Sequence, residues 1–247
     1  MNTGKKRLKR KSIFDALRWA KRVTHPAGGV SFGHLRRLEP VSDNWGFDRG
    51  LPIDRYYIES FLEKQAGDIQ GRTLEFSNNA YTVRFGGDRV KKSDVLDYQP
   101  GNPAATLVAD LSRDNDLPEN AFDCVICTQT LPFIYDLRPA IANLHRILKP
   151  GGTLLVTLPG ISRISPQDMD RTGDYWRFTD AAARRLFSEY FREDHLDISV
   201  YGNVLAATGF LQGLASQELS RAELDHKDTH FQVLITVRAV KAGSHGE

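Results

Sequence analysis

Three acidic residues stand at or near the ends of strand-like stretches in the first half of the chain. Glu75 is next to last in "RTLEF", Asp94 ends "RVKKSD" and Asp110 stands near the end of "ATLVADL". A carboxylate only accepts hydrogen bonds, so each acid can hold a pair of ligand hydroxyls or an amino group. Each can equally pair with a basic neighbour or cap a turn, as Asp110 would in "DLSRDN". The three predict a ligand site if the fold brings their strand ends together.

Two stretches outside the strand-like segments concentrate aromatic and charged side chains that a hydrophobic core does not need. They are "DRGLPIDRYY" over residues 48–57 and "GDYWRFT" over residues 173–179. Aromatic faces can stack on a ring of a ligand, and guanidinium groups can hold an anion. We expect these stretches to form a substrate pocket from Arg55, Tyr56, Tyr175, Trp176 and Arg177.

Asp174 is the candidate catalytic residue, because it is a carboxylate beside these aromatic residues. A general base must lie within hydrogen-bond reach of the proton that it removes. In the alternative, Trp176 and Phe178 pack beneath the following helix, and Asp174 caps that helix or a turn. No metal site is predicted from the spacing of the other acidic residues and the histidines.

The elements that must position these residues alternate along the chain. Strands are predicted at "RTLEF", "RVKKSD", "ATLVADL", "FDCVICT", "GTLLVTL", "LDISVYG" and "FQVLITVRAV". Helices are predicted at residues 52–66, between the fourth and fifth strands, at 180–191 and at 203–219. Gly151 and Gly152 end the second of these helices in "LKPGG". Short apolar strands separated by helices indicate parallel βαβ units and a sheet covered on both faces.

The composition is typical of a soluble globular domain, with 40% hydrophobic and 26% charged residues among 247. No apolar run approaches the roughly 20 residues of a membrane span. Cys124 and Cys127 are the only cysteines and share one apolar strand. They fit small core residues in a reducing cytoplasm, not a disulfide framework.

Basic charge is concentrated at the N-terminus. Residues 1–22 hold nine Lys or Arg and one Asp, a net charge of +8, so the remaining 225 residues carry −6 of the total of +2. With its interspersed apolar residues, this arm can lie on an anionic membrane surface as an amphipathic helix. It can equally contact nucleic acid or form a solvated tail. The expected location is the cytoplasm, with peripheral contact at the inner membrane face as one alternative.

The ordered series "LEFSNN", "SDVLD", "ATLVADLSRDNDLPENAFDCVICTQTL" and "LHRILKPGGTLLVTLPG" resembles the class I S-adenosylmethionine-dependent methyltransferases. The resemblance covers about residues 70–160. The stretches "DRGLPIDRYYIESFL" and "GDYWRFT" further resemble bacterial members of the type 11 group. This resemblance implies an α/β, Rossmann-like fold with a mostly parallel seven-stranded sheet and helices on both faces. It also implies S-adenosyl-L-methionine as the cofactor.

The resemblance assigns roles to the strand ends. Glu75 would anchor the cofactor's amino end, Asp94 would accept both ribose hydroxyls, and Asp110 would take the adenine amino group. The residues after the fourth strand would line the methionine half. The expected cofactor-binding set is Glu75, Phe76, Ser77, Asn79, Asp94, Val95, Asp110, Leu111, Thr128 and Gln129.

The turn after Glu75 departs from the family pattern. Aligned on that residue, the usual three glycines would stand at Ser77, Asn79 and Tyr81. Serine is the smallest alternative, and asparagine is the residue other than glycine that best tolerates a left-handed backbone. Tyr81 cannot mimic glycine, but it can begin a shortened helix. We therefore interpret the segment as a cofactor loop of altered shape.

The expected reaction is methyl transfer to an oxygen of a small molecule or a glycan; the family association suggests polysaccharide biosynthesis. The alternative, favoured by the glycine-free loop, is a non-catalytic methyltransferase-like domain that binds a partner in glycan or lipid assembly. Nucleic acid is a less favoured substrate, since "TQTLPF" stands where amino-methylating enzymes carry Asn-Pro-Pro-aromatic. The expected domains are a basic arm (1–24), a lead-in with a lid helix (25–69), the methyltransferase domain (70–241) and a tail (242–247).

Overall fold

The computed structural model describes residue 20 and residues 30–243 of the chain. The chain forms two compact units, Met1–Glu39 and Pro40–Glu247. In the first unit, the described residues include a short 3₁₀ turn at Gly33–Leu35. Apart from residue 20, the predicted basic arm lies outside the described residues. The predicted domain boundaries after residues 24, 69 and 241 stay predictions.

The second unit is built on one seven-stranded sheet. Its strands are β1 (Gly71–Phe76), β2 (Val90–Asp97), β3 (Leu107–Val108), β4 (Phe122–Thr128), β5 (Leu148–Pro159), β6 (Leu196–Tyr201) and β7 (Leu234–Val240). Their spatial order is β3-β2-β1-β4-β5-β7-β6. The pairs from β3 to β5 run parallel, whereas β7 is antiparallel to both β5 and β6. The predicted mostly parallel sheet of seven strands is confirmed.

Helices cover both faces of this sheet, as the alternation of elements predicts. They are α1 (Ile53–Lys64), α2 (Leu137–Ile147), α3 (Pro166–Arg171), α4 (Asp180–Phe187), α5 (Val204–Leu211) and α6 (Arg221–Asp225). Apolar residues of α2 and α4 form one core cluster with the sheet, and those of α1 and α5 form a second. Within the described part of the chain, no helix combines the length and apolar content needed to cross a bilayer.

The centre of the sheet is apolar on both faces, which is typical of parallel strands covered on two sides. Residues 124 to 127 of β4 are fully buried. Burial raises the pKa of the Cys127 thiol to about 12, and it raises the pKa of Cys124 as well. Both cysteines are therefore un-ionised core residues, as predicted.

Several strands differ from their predicted bounds, and the difference in β2 moves a site residue. β2 continues to Asp97, because its parallel register with β1 pairs Phe76 with Leu96. Val95 and Leu96 are buried within the sheet, so the strand passes through the apolar interior beyond Asp94. β3 is limited to two residues, Leu107–Val108.

Candidate functional site

A cavity of about 660 Å³ opens where the parallel strands end. Its lining includes Glu75 of β1, Asp97 of β2, Thr128 of β4 and Pro159 of β5. The volume falls within the ~300–1,000 Å³ that is usual for small-molecule pockets. In open parallel sheets, ligands bind at the carboxyl edge where the strand order reverses, which here lies between β1 and β4. The fold therefore brings the strand ends together at one ligand-sized cavity.

Glu75 lines this cavity and is only 3% exposed. Its Oε1 accepts a hydrogen bond from the Tyr81 amide at 3.2 Å. Its Oε2 accepts from the amide and the hydroxyl of Thr82, each at 2.7 Å. Burial raises the pKa of Glu75, although these three bonds oppose the shift. Glu75 thus anchors the turn that follows β1, and its contact with a cofactor stays a prediction.

In the glycine-free turn after β1, one residue has the left-handed backbone that is typical of glycine. Ser77 has a left-handed backbone with φ of 63°. Its amide donates to the Leu96 carbonyl at 3.0 Å, and its carbonyl accepts from Asn102 Nδ2 at 2.7 Å. Asn79 has no left-handed backbone; its amide side chain donates to the Ser93 hydroxyl at 3.1 Å and does not line the cavity. The side chain of Asn79 therefore binds β2, and its predicted contact with a cofactor stays a prediction.

Asp94 does not line the cavity and is 2% exposed. Its Oδ2 accepts from Arg72 Nε at 2.6 Å, and its Oδ1 accepts from the Thr106 hydroxyl at 3.1 Å and lies 3.4 Å from Lys92 Nζ. Burial alone would raise the pKa of Asp94, but the bond and charge of Arg72 outweigh it and lower that pKa. Asp94 and the buried Val95 therefore lie outside the cavity lining, because β2 ends three residues later, and their assignment to the cofactor stays a prediction.

Asp97 is the residue that the sequence interpretation missed. It ends β2 and lines the cavity. Its Oδ2 accepts from Asn102 Nδ2 at 2.7 Å, which links it to the turn carbonyl of Ser77, and its Oδ1 accepts from the Gln99 amide at 3.3 Å. The sequence did contain a signal: Asp97 follows the apolar pair Val-Leu, as Glu75 follows Thr-Leu. Extending the strand to its last apolar residue would have found it.

The ends of β3 and β4 meet the cavity as expected. The lining includes Phe76, Asp110, Leu111, Thr128 and Gln129. Asp110 also realises its alternative role, since its Oδ1 accepts from the amide and hydroxyl of Ser112 at 2.8 and 2.7 Å. Its carboxylate thus caps the following turn while facing the cavity. Gln129 has a left-handed φ of 50°, so the chain turns sharply directly after β4.

Helix α1 also contributes to the cavity wall. Arg55 and Tyr81 line the cavity, and Arg55 Nη1 donates to the Tyr81 hydroxyl at 3.2 Å. Tyr81 is also the residue whose amide binds Glu75, so it connects α1 to the end of β1. Tyr56 does not line the cavity, and its hydroxyl donates to Asp225 Oδ1 at 2.7 Å. Tyr56 points away from the cavity because consecutive helical residues point about 100° apart, and its substrate role stays a prediction.

Asp54, which the sequence interpretation passed over, also lines the cavity. It stands in the first turn of α1, and its Oδ1 accepts from the Arg55 amide at 2.8 Å. Burial raises the pKa of Asp54, and the charge of Arg55 opposes the shift. The site thus contains an acid whose environment disfavours its charge, which is a property of many functional carboxylates.

Asp174 lines the cavity, but its carboxylate is already bound. Arg177 donates to it from Nη1 at 2.6 Å and from Nη2 at 2.8 Å, and the Ser165 amide donates at 2.9 Å. Burial alone would raise the pKa of Asp174, but these bonds lower it. A carboxylate with a lowered pKa is a weak base. Asp174 therefore matches the alternative role, in which it orders a turn.

The two aromatic residues next to Asp174 point in different directions. Tyr175 lines the cavity, is 49% exposed and packs edge-on against Tyr135, with ring centroids 5.3 Å apart. Trp176 does not line this cavity; its indole nitrogen donates to the Ile134 carbonyl at 3.1 Å, and its ring packs against the core. Trp176 thus packs inward together with the buried Phe178, as in the alternative, and its substrate role stays a prediction.

The residues at the strand ends fit a nucleoside cofactor. Asp97 offers carboxylate oxygens at the end of β2, where a pair of hydroxyls can bind. Phe76 and Leu111 add apolar surface for a planar ring. The left-handed turn at Ser77 keeps the chain close to the end of β1 despite its Cβ. S-adenosylmethionine combines these features with an amino acid end, which Glu75 and Thr128 would face.

Comparison with known sequences agrees with this geometry. Residues 69–156, which span β1 through most of β5, match the sequence profile of a family described as "Methyltransferase domain". The ubiquinone/menaquinone biosynthesis C-methyltransferase UbiE of Saccharophagus degradans is 31% identical over 108 residues, which cover 38% of this chain and 41% of that protein. This chain spans about two fifths of the length of the curated relatives that it matches.

Solved structures share the fold. Phosphoethanolamine N-methyltransferase 2 of Haemonchus contortus, in complex with S-adenosyl-L-methionine, aligns with a TM-score of 0.50 at 16% identity and covers 85% of this chain and 55% of that one. A SAM-dependent methyltransferase from Archaeoglobus fulgidus aligns with a TM-score of 0.50 at 11% identity, over 76% of this chain and 94% of that one. At such identities the likeness shows the fold alone. Residues 69–156 thus match a methyltransferase domain in sequence, and the described chain shares the fold of these S-adenosylmethionine-dependent methyltransferases.

Proposed function

We propose that this protein transfers the methyl group of S-adenosylmethionine to a hydroxyl group of a small molecule or glycan. One observation carries the proposal: a single cavity joins the strand-end residues Glu75 and Asp97 to the polar wall of Asp54, Arg55 and Tyr175. Methyl transfer requires that the nucleophile and the methyl carbon be held together in line. A shared cavity provides that proximity.

The strand ends would hold the cofactor. Asp97 would accept the ribose hydroxyls, and Asp110 with Leu111 would face the adenine. Glu75 and the turn at Ser77 would face the amino acid end, with Thr128 and Gln129 beside the methionine half. When bound, S-adenosylmethionine supplies a methyl group on a positively charged sulfur. The contribution of the protein is to orient the acceptor and to remove its proton.

A hydroxyl acceptor is supported by polar side chains in the cavity lining outside the strand ends. Arg55 can donate to acceptor oxygens, and the half-exposed Tyr175 offers an aromatic face on which a sugar ring can stack. The curated relatives are C-methyltransferases by name, so carbon methylation is the competing outcome that product analysis must distinguish. A role in polysaccharide biosynthesis in the cytoplasm belongs to this proposal.

The proposal includes contact of residues 1–22 with an anionic membrane, which would bring the enzyme to lipid-linked acceptors. Its support is the net charge of +8 in that segment, interspersed with apolar residues. The non-catalytic alternative draws on the turn after β1, where Ser77 replaces a glycine and its amide is already bound to Leu96.

The decisive experiment incubates the protein with S-adenosylmethionine labelled in its methyl group and with separated glycan, lipid-linked and small-molecule fractions. We expect label in one fraction, on an oxygen identified by mass spectrometry after degradation. Calorimetry that detects no cofactor binding up to millimolar concentrations would reject the proposal. Binding without transfer to any fraction would favour the non-catalytic alternative.

A further inference from the structure

We propose that Asp54 is the general base that takes the proton from the acceptor, and that Arg55 and Tyr81 position it towards the cofactor half of the cavity. The inference rests on the methyl transfer proposed above and replaces Asp174 in that role. Three observations carry it. Asp54 lies in the cavity wall, no side chain in residues 30–243 donates to its carboxylate, and hydrogen bonds connect its helix to β1.

Asp54 has a carboxylate that is available for a substrate. No side chain in residues 30–243 donates to it, and the Arg55 amide donates to Oδ1 at 2.8 Å. Asp174, in contrast, accepts two bonds from Arg177 and one from the Ser165 amide. Of these two acids in the cavity wall, Asp54 is therefore the one with an oxygen free for an acceptor hydroxyl.

Tyr81 connects this acid to the cofactor side. Its amide donates to Glu75 Oε1 at 3.2 Å, and its hydroxyl accepts from Arg55 Nη1 at 3.2 Å. Because Arg55 directly follows Asp54, two hydrogen bonds relate the first turn of α1 to the end of β1. Tyr81 stands where the family pattern has its third glycine, so a side chain at that position acquires a positioning role that glycine cannot have.

The environment of Asp54 makes its carboxylate a stronger base than an exposed aspartate. Burial raises its pKa, whereas the charge of Arg55 opposes the shift. The other titratable groups near this pair are Tyr81 and, through Arg55, Glu59. A base is more effective as its pKa approaches the working pH, provided that it stays ionised there. The pKa of Asp174 is lowered, so its carboxylate is a weaker base than that of an exposed aspartate.

The step balances without a further reactant. The acceptor oxygen forms a bond to the methyl carbon while the sulfur–methyl bond breaks, and that electron pair stays on sulfur. The O–H proton moves to the Asp54 carboxylate, which later releases it to solvent. Sulfonium, hydroxyl and carboxylate thus become thioether, methyl ether and carboxylic acid.

The first test compares Asp54→Asn with Glu63→Gln, which removes the same charge from an exposed position on the same helix. With the fraction that the wild-type protein labels, we expect Asp54→Asn to lose at least about 100-fold in turnover, as is usual for a lost general base. Its affinity for S-adenosylmethionine should stay within threefold of wild type. Glu63→Gln should keep both properties. Turnover of Asp54→Asn within about threefold of wild type would overturn the inference.

The second test does not depend on activity. In the protein without cofactor, carbon NMR of labelled aspartate carboxyl groups should show one signal that titrates above the ordinary value of 3.8 and disappears in Asp54→Asn. Titration at or below that value would overturn the inference even if transfer occurs. If the wild-type protein labels no fraction, the proposed function fails, whereas this titration still decides the ionisation of Asp54.

Discussion

Asp94 and Asp97 lie on the same strand and have the same side chain, but their surroundings give them different roles. Side chains alternate between the two faces of a strand, so residues three apart point in opposite directions. Asp94 is buried against Arg72, whereas Asp97 lies at the strand end in the cavity wall. The first therefore contributes to stability, and we expect the second to contribute to cofactor binding.

Replacement of Asp97 by alanine should weaken binding of S-adenosylmethionine roughly ten- to a hundredfold. The loss of a hydrogen bond to a charged group costs about 1.5–3 kcal/mol, which corresponds to that change in affinity. Isothermal titration calorimetry of Asp97→Ala measures it. Asp88→Ala, which removes an exposed acid ahead of the same strand, is the matched control and should bind as wild type does. Equal affinities of both variants would contradict the assignment.

Replacement of Asp94 by asparagine should lower the free energy of unfolding by about 1–3 kcal/mol at pH 7, since a buried charged hydrogen bond is lost. The pKa of Asp94 is lowered in the folded protein, so its contribution is complete above the unfolded value of 3.8 and is lost as the pH falls through the folded value. Urea unfolding of both proteins between about pH 7 and pH 3 should therefore show a difference that shrinks in acid. A difference independent of pH would mean that the charge is not involved.

At the scale of elements, the turn after β1 shows how this predicted cofactor loop is held without the usual glycines. Ser77 and Asn79 both stand where the family pattern has glycine. Ser77 has a left-handed backbone, whereas Asn79 does not. The chain then enters a π-helical turn at Thr82–Gly86, whose start is held by the bonds of Glu75 to residues 81 and 82. The loop is thus stabilised by side-chain contacts with its neighbours.

Glycine substitutions at these two positions should have opposite effects. Ser77→Gly should raise the free energy of unfolding by up to about 1 kcal/mol. A left-handed conformation costs a residue with a side chain about 1–2 kcal/mol, and glycine removes this cost. Part of the gain is lost, because glycine gives the unfolded chain more conformational entropy. Asn79→Gly should lower it by about 1 kcal/mol, because the bond to Ser93 is lost. Thermal and urea unfolding compare the two. Destabilisation by both variants to the same extent would show that the strain at Ser77 is negligible.

At the scale of the whole molecule, charge is divided unevenly along the chain. Residues 1–22 carry +8 and the other 225 residues carry −6. The sheet and the cavity belong to the unit Pro40–Glu247, which does not contain the basic segment. We therefore expect the segment to serve attachment to an anionic surface and not the chemistry of the site.

Deletion of residues 1–22 should leave the melting temperature within about 2 °C and the affinity for S-adenosylmethionine within about twofold, because no residue of the sheet or the cavity is removed. Co-sedimentation with vesicles that contain anionic lipid should fall sharply, and salt should weaken the binding of the full chain. Vesicles of neutral lipid are the control. Equal sedimentation of both proteins, or none by either, would reject the membrane role.

Local patterns in the sequence determined the elements of this protein. The apolar runs of β4 and β5 and the helical spacing in α1 depend on neighbours along the chain, and each was predicted. The predicted helix end at Gly151 and Gly152 was wrong, because α2 already ends at Ile147 and both glycines lie within β5. The ordered motifs between residues 70 and 160 also indicated the family and its cofactor before any contact was known.

Only the tertiary structure decided which side chains reach the cavity. The end of β2 depends on its register with β1, so local propensity placed the acid at Asp94 where pairing places it at Asp97. The rotation of α1 against the sheet turns Asp54 and Arg55 towards the cavity and Tyr56 away from it. These outcomes arise from contacts between residues far apart in the chain, and such contacts leave no periodic trace in the sequence.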